Sequence, residues 1–170
     1  MDRLIRDLLT YSRISRREIQ LERVSLTRLL TEIALQYPEL HAERADLEIM
    51  PPLPDVHAHE PSLTQALSNL LTNAVKFVAP GTRPRVRVRT ERRGDHVRLW
   101  VEDNGIGIAP ESHRRLFAMF ERLHPEQNYE GTGIGLAIVR KAVERMNGTV
   151  GIESDGQSGS RFWIELPAAS

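Results

Sequence analysis

Three stretches of this 170-residue chain carry residue types suited to binding a ligand as well as to packing. Residues 67–77 read Leu-Ser-Asn-Leu-Leu-Thr-Asn-Ala-Val-Lys-Phe, a helical pattern with an asparagine at successive turns. Asp103-Asn104-Gly105-Ile106-Gly107-Ile108 follows a strand-like run, and Gly131-Thr132-Gly133-Ile134-Gly135 runs straight into Leu136-Ala137-Ile138-Val139. An asparagine carbonyl can give one oxygen to a hexacoordinate magnesium whose other ligands are phosphates and waters. A lysine supplies a compact charge for phosphate, and glycine amides at a helix N-terminus suit the same anion. An aspartate at a strand end can accept from adenine's exocyclic amine, where guanine would present a carbonyl. In this order the stretches point to a magnesium–nucleotide site.

At about 100° per residue, Gln65, Asn69, Asn73 and Lys76 fall within roughly 80° of one another. The rest of that helix, Leu63, Leu67, Leu70, Leu71, Ala74, Val75 and Phe77, is nearly continuous apolar surface. A solvated face would account for such a stripe. Yet the solvated faces of this chain, at 111–115 and 140–145, are written in arginine and glutamate. Lys76 and Lys141 are the two lysines among 23 basic residues. The glycine clusters are ambiguous singly. Asn104-Gly105 alone would make a hairpin turn, and the second cluster has neither dinucleotide-turn nor P-loop spacing.

The elements that must position these residues follow from periodicity. A helix is expected at 2–17, with Leu4, Leu8, Tyr11 and Ser15 spaced as a coiled-coil-like seam beside Ile5, Leu9 and Ser12. An extended piece spans 19–24, and Ser25 caps a helix with Leu26, Leu29, Leu30, Ile33 and Tyr37 on one face, kinked or ended by Pro38. Short strands are expected at 46–50 and 53–58, the asparagine helix at 61–78, and a hairpin at 84–92 and 96–103 across Gly94-Asp95. Helices at 110–120 and 133–147, the second closed by Asn147-Gly148, and strands at 149–154 and 160–166 complete the chain. The predicted fold is α+β: a two-layer α/β sandwich, a mixed sheet of about five strands with three main helices on one face, plus the N-terminal helix. Alternation in 96–103 places Val97, Leu99, Val101 and Asp103 on the helix side. A carboxylate there requires hydrogen-bond donors. The connector between the glycine clusters, residues 109–130, ends in the polar run from Glu121 to Glu130 and reads as a lid.

Composition narrows the class. Net charge is zero, cysteine is absent, and apolar content is 40%. There is no global field to draw in nucleic acid, no disulfide or thiolate metal site, and no apolar run near the roughly 20 residues of a membrane span. The first residues are too charged for a signal peptide. A soluble, cytoplasmic chain is expected.

Taken together, the motifs resemble the catalytic, ATP-binding domain of sensor histidine kinases, in the superfamily of gyrase-type and mismatch-repair ATPases. Residues 65–77 resemble the N box, 103–107 and 131–135 the two glycine boxes, and 117–120 the F box; residues 120–124 and 129–138 are similar to a phytochrome-like subgroup. The resemblance implies ATP and Mg2+ as ligands. It places Asn73 on the metal, Asp103 on adenine, and Asn69, Lys76 and Arg122 on phosphates or their waters as the catalytic set. Gly105, Gly107, Ile108, Gly131, Thr132, Gly133, Gly135, Leu136 and Ser160 would shape the pocket.

The related ATPases carry a glutamate base one turn before the metal asparagine. Here that position is Asn69, which cannot take a proton, so ATP would await another nucleophile. In the family that is a histidine on a dimerising helical hairpin. His59-Glu60 precedes Pro61 and reads as the start of the asparagine helix. The resemblance therefore makes residues 1–19 the end of the hairpin's second helix, residues 20–170 the catalytic domain, and the phosphoacceptor part absent from this sequence. Its partners would be that domain and a response-regulator receiver domain, in a full-length homodimer, with no nucleic acid. Alternative readings are an anti-sigma-factor-type serine kinase on the same fold, or a non-catalytic nucleotide- or strand-binding module using Arg85, Arg87, Arg89, Arg98, Trp100, Arg161 and Trp163 on the outer sheet face.

Overall fold

The fold is given by a computed structural model that describes residues 2–122 and 131–169. Among these, four α-helices and seven strands occur in the order α1 (Asp2–Arg16), β1 (Glu22–Val24), α2 (Leu26–Gln36), β2 (Asp46–Ile49), β3 (Val56–Ala58), α3 (Glu60–Lys76), β4 (Arg85–Arg93), β5 (His96–Asp103), α4 (Gly135–Arg145), β6 (Thr149–Ser154) and β7 (Ser160–Pro167). A five-stranded sheet runs β2-β4-β5-β7-β6, with β2 parallel to β4 and the other pairs antiparallel. The expected strand at 53–58 shortens to β3 and leaves that sheet to pair with β1.

The strand alternation holds where it matters. Val97, Leu99 and Val101 of β5 and Phe162, Ile164 and Leu166 of β7 are buried under α3 and α4, which contribute Leu63, Leu67, Leu70, Leu71, Val139, Val143 and Met146. Each such side chain fully withdrawn from water is worth about 1.5–3 kcal/mol before entropy is subtracted. Ser25 Oγ accepts from Arg28 N at 3.2 Å and starts α2, which ends at Tyr37 before Pro38. Asn147 takes φ 63° and closes α4, so the expected left-handed stop is realised at the asparagine.

Two sequence expectations change. Residues 110–120 do not form an α-helix: a single 3-10 turn, Pro110–Ser112, leads into further three-residue turns such as Ala118 N to Arg115 O at 2.9 Å. The apolar spacing is met another way. Leu116 and Phe117 enter the core, Phe117 edge-on to Phe162, while Phe120 adopts φ 66° and donates its N–H to Gly133 O at 2.6 Å. The seam on α1 is also split. Leu4, Tyr11 and Ile14 are half-buried where α1 packs on α4, whereas Ile5, Leu8 and Leu9 are 52%, 37% and 50% exposed.

On the outer sheet face, Trp100 and Trp163 face each other across β5 and β7 with ring centroids 6.5 Å apart. Arg98 stacks 3.6 Å from the Trp163 centroid and pairs with Glu165 at 3.2 Å. Arg89 pairs with Glu102, and Arg161 with Glu153. The guanidinium planes and tryptophan rings cover one another, and cross-strand glutamates balance the charge.

Candidate functional site

Asp103 ends β5 opposite Ser160, the first residue of β7, so strand pairing sets a hydroxyl beside the carboxylate. Asp103 Oδ1 accepts from Gly105 N at 2.8 Å and Ser160 N at 3.2 Å, and Oδ2 accepts from Ser160 Oγ at 3.0 Å. These are the donors the sequence demanded. Burial raises the Asp103 pKa above the ordinary aspartate value, and bonds from Gly105 N, Ser160 Oγ and Ser160 N oppose that rise. A carboxylate has about four acceptor positions. Three are taken, which leaves one on Oδ2 for a ligand donor.

The loop after Asp103 is fastened to the asparagine helix. Ile106 N donates to Phe77 O at 3.0 Å, and Phe77 is the C-cap of α3, with its own N–H on Asn73 O. Gly105 permits this approach: a Cβ there would lie 2.3 Å from Phe77 O. One backbone hydrogen bond thus joins the carboxylate loop to the end of the helix that carries Asn73. Gly107 and Ile108 are buried on the far side of the loop, against the β6–β7 connection.

Asn69, Asn73, Lys76, Arg122, Gly131, Thr132, Gly133, Gly135 and Leu136 are brought together around a second cleft, of about 90 Å3. Gly131 sits against Lys76: a Cβ added there would lie 3.3 Å from Nζ. Asn69 Nδ2 donates to Gly135 O at 3.1 Å and its Oδ1 accepts from Gln65 Nε2 at 3.1 Å, so this amide clamps α3 to the head of α4. The Asn73 amide, in contrast, hydrogen-bonds to none of the described residues. Asp103 and Ser160 border a different space, an open groove of about 1530 Å3 that continues along β2 to Thr31 and Leu35 of α2. Only its end beside Asp103 concerns the predicted site. Phe77 lines the smaller cleft, and its carbonyl holds Ile106 of the loop that follows Asp103. Of the segment expected to form a lid, residues 123–130, including the subgroup motif residues Leu123, His124, Tyr129 and Glu130, lie outside the described residues.

Three further residues belong to the site and were not anticipated. Ser154 Oγ accepts from Ile108 N at 3.0 Å and Gly156 N at 3.2 Å and donates to Gly159 O at 2.8 Å, pinning the first glycine cluster to the β6–β7 loop. Ser154→Ala strands those three backbone groups, and a loss of about 1–3 kcal/mol in unfolding free energy is expected in urea titrations. Arg3 and Asp7 of α1 also line the smaller cleft.

As to a metal, no cluster of three His, Cys, Asp or Glu occurs among the described residues. A free neutral amide oxygen beside a lysine suits magnesium carried in on nucleotide phosphates, since that ion keeps waters and takes one or two protein ligands. No helix among the described residues is long and apolar enough to cross a membrane.

Comparison with known proteins agrees with this geometry. The family described as histidine kinase-, DNA gyrase B-, and HSP90-like ATPase matches residues 58–170. Phytochrome-like protein Cph1 of Synechocystis sp. is 35% identical over 98% of this chain and 22% of its own length. Sensor histidine kinase AruS of Pseudomonas aeruginosa is 42% identical over 76% of this chain and 13% of its own. The crystal structure of full-length ShkA in complex with AMPPNP superposes with a TM-score of 0.82 at 33% identity, covering 99% of this chain and 36% of that one. The chain therefore spans about a fifth of the length of its phytochrome-like relatives, which are 22% covered. With the fold, the fastened glycine loop and the family match in agreement, the chain belongs to the histidine kinase-, DNA gyrase B- and HSP90-like ATPase family.

Proposed function

We propose that this chain is the ATP-binding catalytic part of a two-component sensor histidine kinase of the phytochrome-like kind. The observation that carries the reading is the Ile106–Phe77 bond, which ties an adenine-type carboxylate to the end of the asparagine helix. Asp103 holds the adenine amine through its remaining acceptor position. Lys76, Arg122 and the amides of Gly131, Thr132, Gly133 and Gly135 orient the phosphates, and Leu136, Gly105, Gly107 and Ile108 shape the walls. Magnesium, ligated by the Asn73 carbonyl, would neutralise phosphate charge during transfer. Asn69 is an amide engaged with Gly135, so no side chain at that position draws a proton from water. The γ-phosphate is then kept for a histidine on a dimerisation hairpin.

On this reading residues 1–19 are the end of that hairpin's second helix and residues 20–170 are the catalytic domain. The full protein is a cytoplasmic homodimer that passes phosphate to a receiver domain. Calorimetry with ATP and GTP, with and without Mg2+, tests the nucleotide assignment. ATP should bind only with Mg2+, GTP should bind at least tenfold more weakly, and Asn73→Ala should cost about tenfold, one lost polar ligand contact. Equal binding of both purines would overturn it. Labelled phosphate should appear on a supplied hairpin domain and not on this chain alone.

A further inference from the structure

The smaller cleft is lined from two directions: by α3, Arg122 and the second glycine cluster on one side, and by Arg3 and Asp7 of α1 on the other. Asp7 Oδ2 accepts from Thr132 Oγ1 at 2.5 Å, and Thr132 Oγ1 accepts from Ile134 N at 3.3 Å. One hydroxyl thus couples the Asp7 carboxylate to the amide at the N-cap of α4. A helix N-terminus favours an anion there, and in this conformation a side-chain carboxylate supplies it. The Asp7 carboxylate stands on the wall of this cleft, facing the side on which Lys76 and Arg122 stand.

We propose that Asp7 is a built-in competitor for the phosphate position, which makes it a determinant of how strongly this site discriminates nucleotides by their phosphate charge. The inference rests on the reading that this cleft receives nucleotide phosphates. With α1 docked on α4, the carboxylate engages Thr132 and repels a polyanion; phosphate binding displaces it. No residue of α1 is fully buried, so shifting the helix exposes little core. Because coupling is reciprocal, whatever repositions α1 tunes nucleotide affinity, and bound nucleotide in turn loosens α1 from Thr132.

The test is calorimetry on the whole chain with Mg-ATP, inorganic triphosphate and adenosine, for wild type, Asp7→Asn, Asp7→Ala and Asp7→Glu. Removing the charge should tighten ATP and inorganic triphosphate by about tenfold, within the usual range of coupling between sites. Adenosine affinity should stay unchanged, and Asp7→Glu, which keeps the charge, should not tighten either polyanion. Asp7→Asn is nearly isosteric and can still accept from Thr132, so it remains informative if Asp7→Ala loosens the helix; helicity by circular dichroism checks both. Unchanged or weaker ATP binding in Asp7→Asn, or equal tightening of adenosine, would overturn the role of Asp7 while leaving the nucleotide site standing. A folded wild-type chain that bound none of the three ligands would overturn the nucleotide reading and this inference with it.

Discussion

Asp103→Asn is expected to weaken ATP binding by about 100-fold, on the order of 3 kcal/mol, without lowering the melting temperature of the free protein. The asymmetry comes from the hydrogen bonds. An asparagine at 103 can keep its Oδ1 on Gly105 N and Ser160 N and turn its Nδ2 toward Ser160 Oγ, so the cradle survives. What it loses is the spare acceptor, since an NH2 group then faces the amine of adenine. Guanine's carbonyl is no longer repelled, so the ratio of ATP to GTP affinity should collapse in calorimetry.

The same carboxylate gives a pH signature. Burial raises its pKa, which means the charged form is disfavoured in the folded, unliganded protein. Its contribution to stability is most favourable at low pH, where the buried group is protonated, and is lost as pH rises through the raised pKa. Binding has the opposite sign, because only the ionised form is a pure acceptor. ATP affinity of the wild type should therefore fall on acidification, starting at a higher pH than an ordinary aspartate would give, and Asp103→Asn should lack this dependence. If the variant binds ATP like the wild type at neutral pH, Asp103 does not read adenine.

The reach of the sequence is uneven for physical reasons. Period-two alternation in β5 put Asp103 on the helix side, because one face of a covered strand must be apolar. The same rule would leave Trp100 exposed, yet it is buried, since the guanidinium groups of Arg89 and Arg161, from the strands on either side, lie over it. The failed helix at 110–120 had helical apolar spacing, but the conformation of Phe120 is set by Gly133, across the segment expected to form a lid. Asp7 was out of reach altogether. It meets Thr132 across 125 residues, and the docking of α1 on α4 is a tertiary choice that no local pattern encodes. The asparagine stripe was legible as polar, whereas the division of labour was not: Asn69 is spent on Gly135 and Gln65, and Asn73 is left open.

Gly105→Ala should damage both the fold and nucleotide binding. A Cβ at 105 would sit 2.3 Å from Phe77 O and 2.9 Å from Asp103 Oδ1, and the first of these is backbone that cannot rotate away. Relief requires the loop to move off α3. That breaks the 3.0 Å bond from Ile106 N and draws Gly105 N away from the carboxylate it supports. Overpacking and two lost hydrogen bonds together are expected to cost about 3 kcal/mol, or a melting temperature lower by about 6–12 °C for a domain of this size. Gly81→Ala is the fitting comparison. Gly81 has a left-handed backbone, φ 81°, which Gly105 does not, and nothing lies within 4 Å of its added carbon, so only about 1–2 kcal/mol of conformational strain is expected. Urea titrations with equal slopes separate the two. In Gly105→Ala, ATP binding should be lost even at temperatures where the variant is folded, because the displaced loop no longer holds Asp103 against the end of the asparagine helix. Equal destabilisation by the two substitutions, with ATP binding intact, would mean that the loop and helix are not fastened in solution and that the carboxylate and Asn73 act independently.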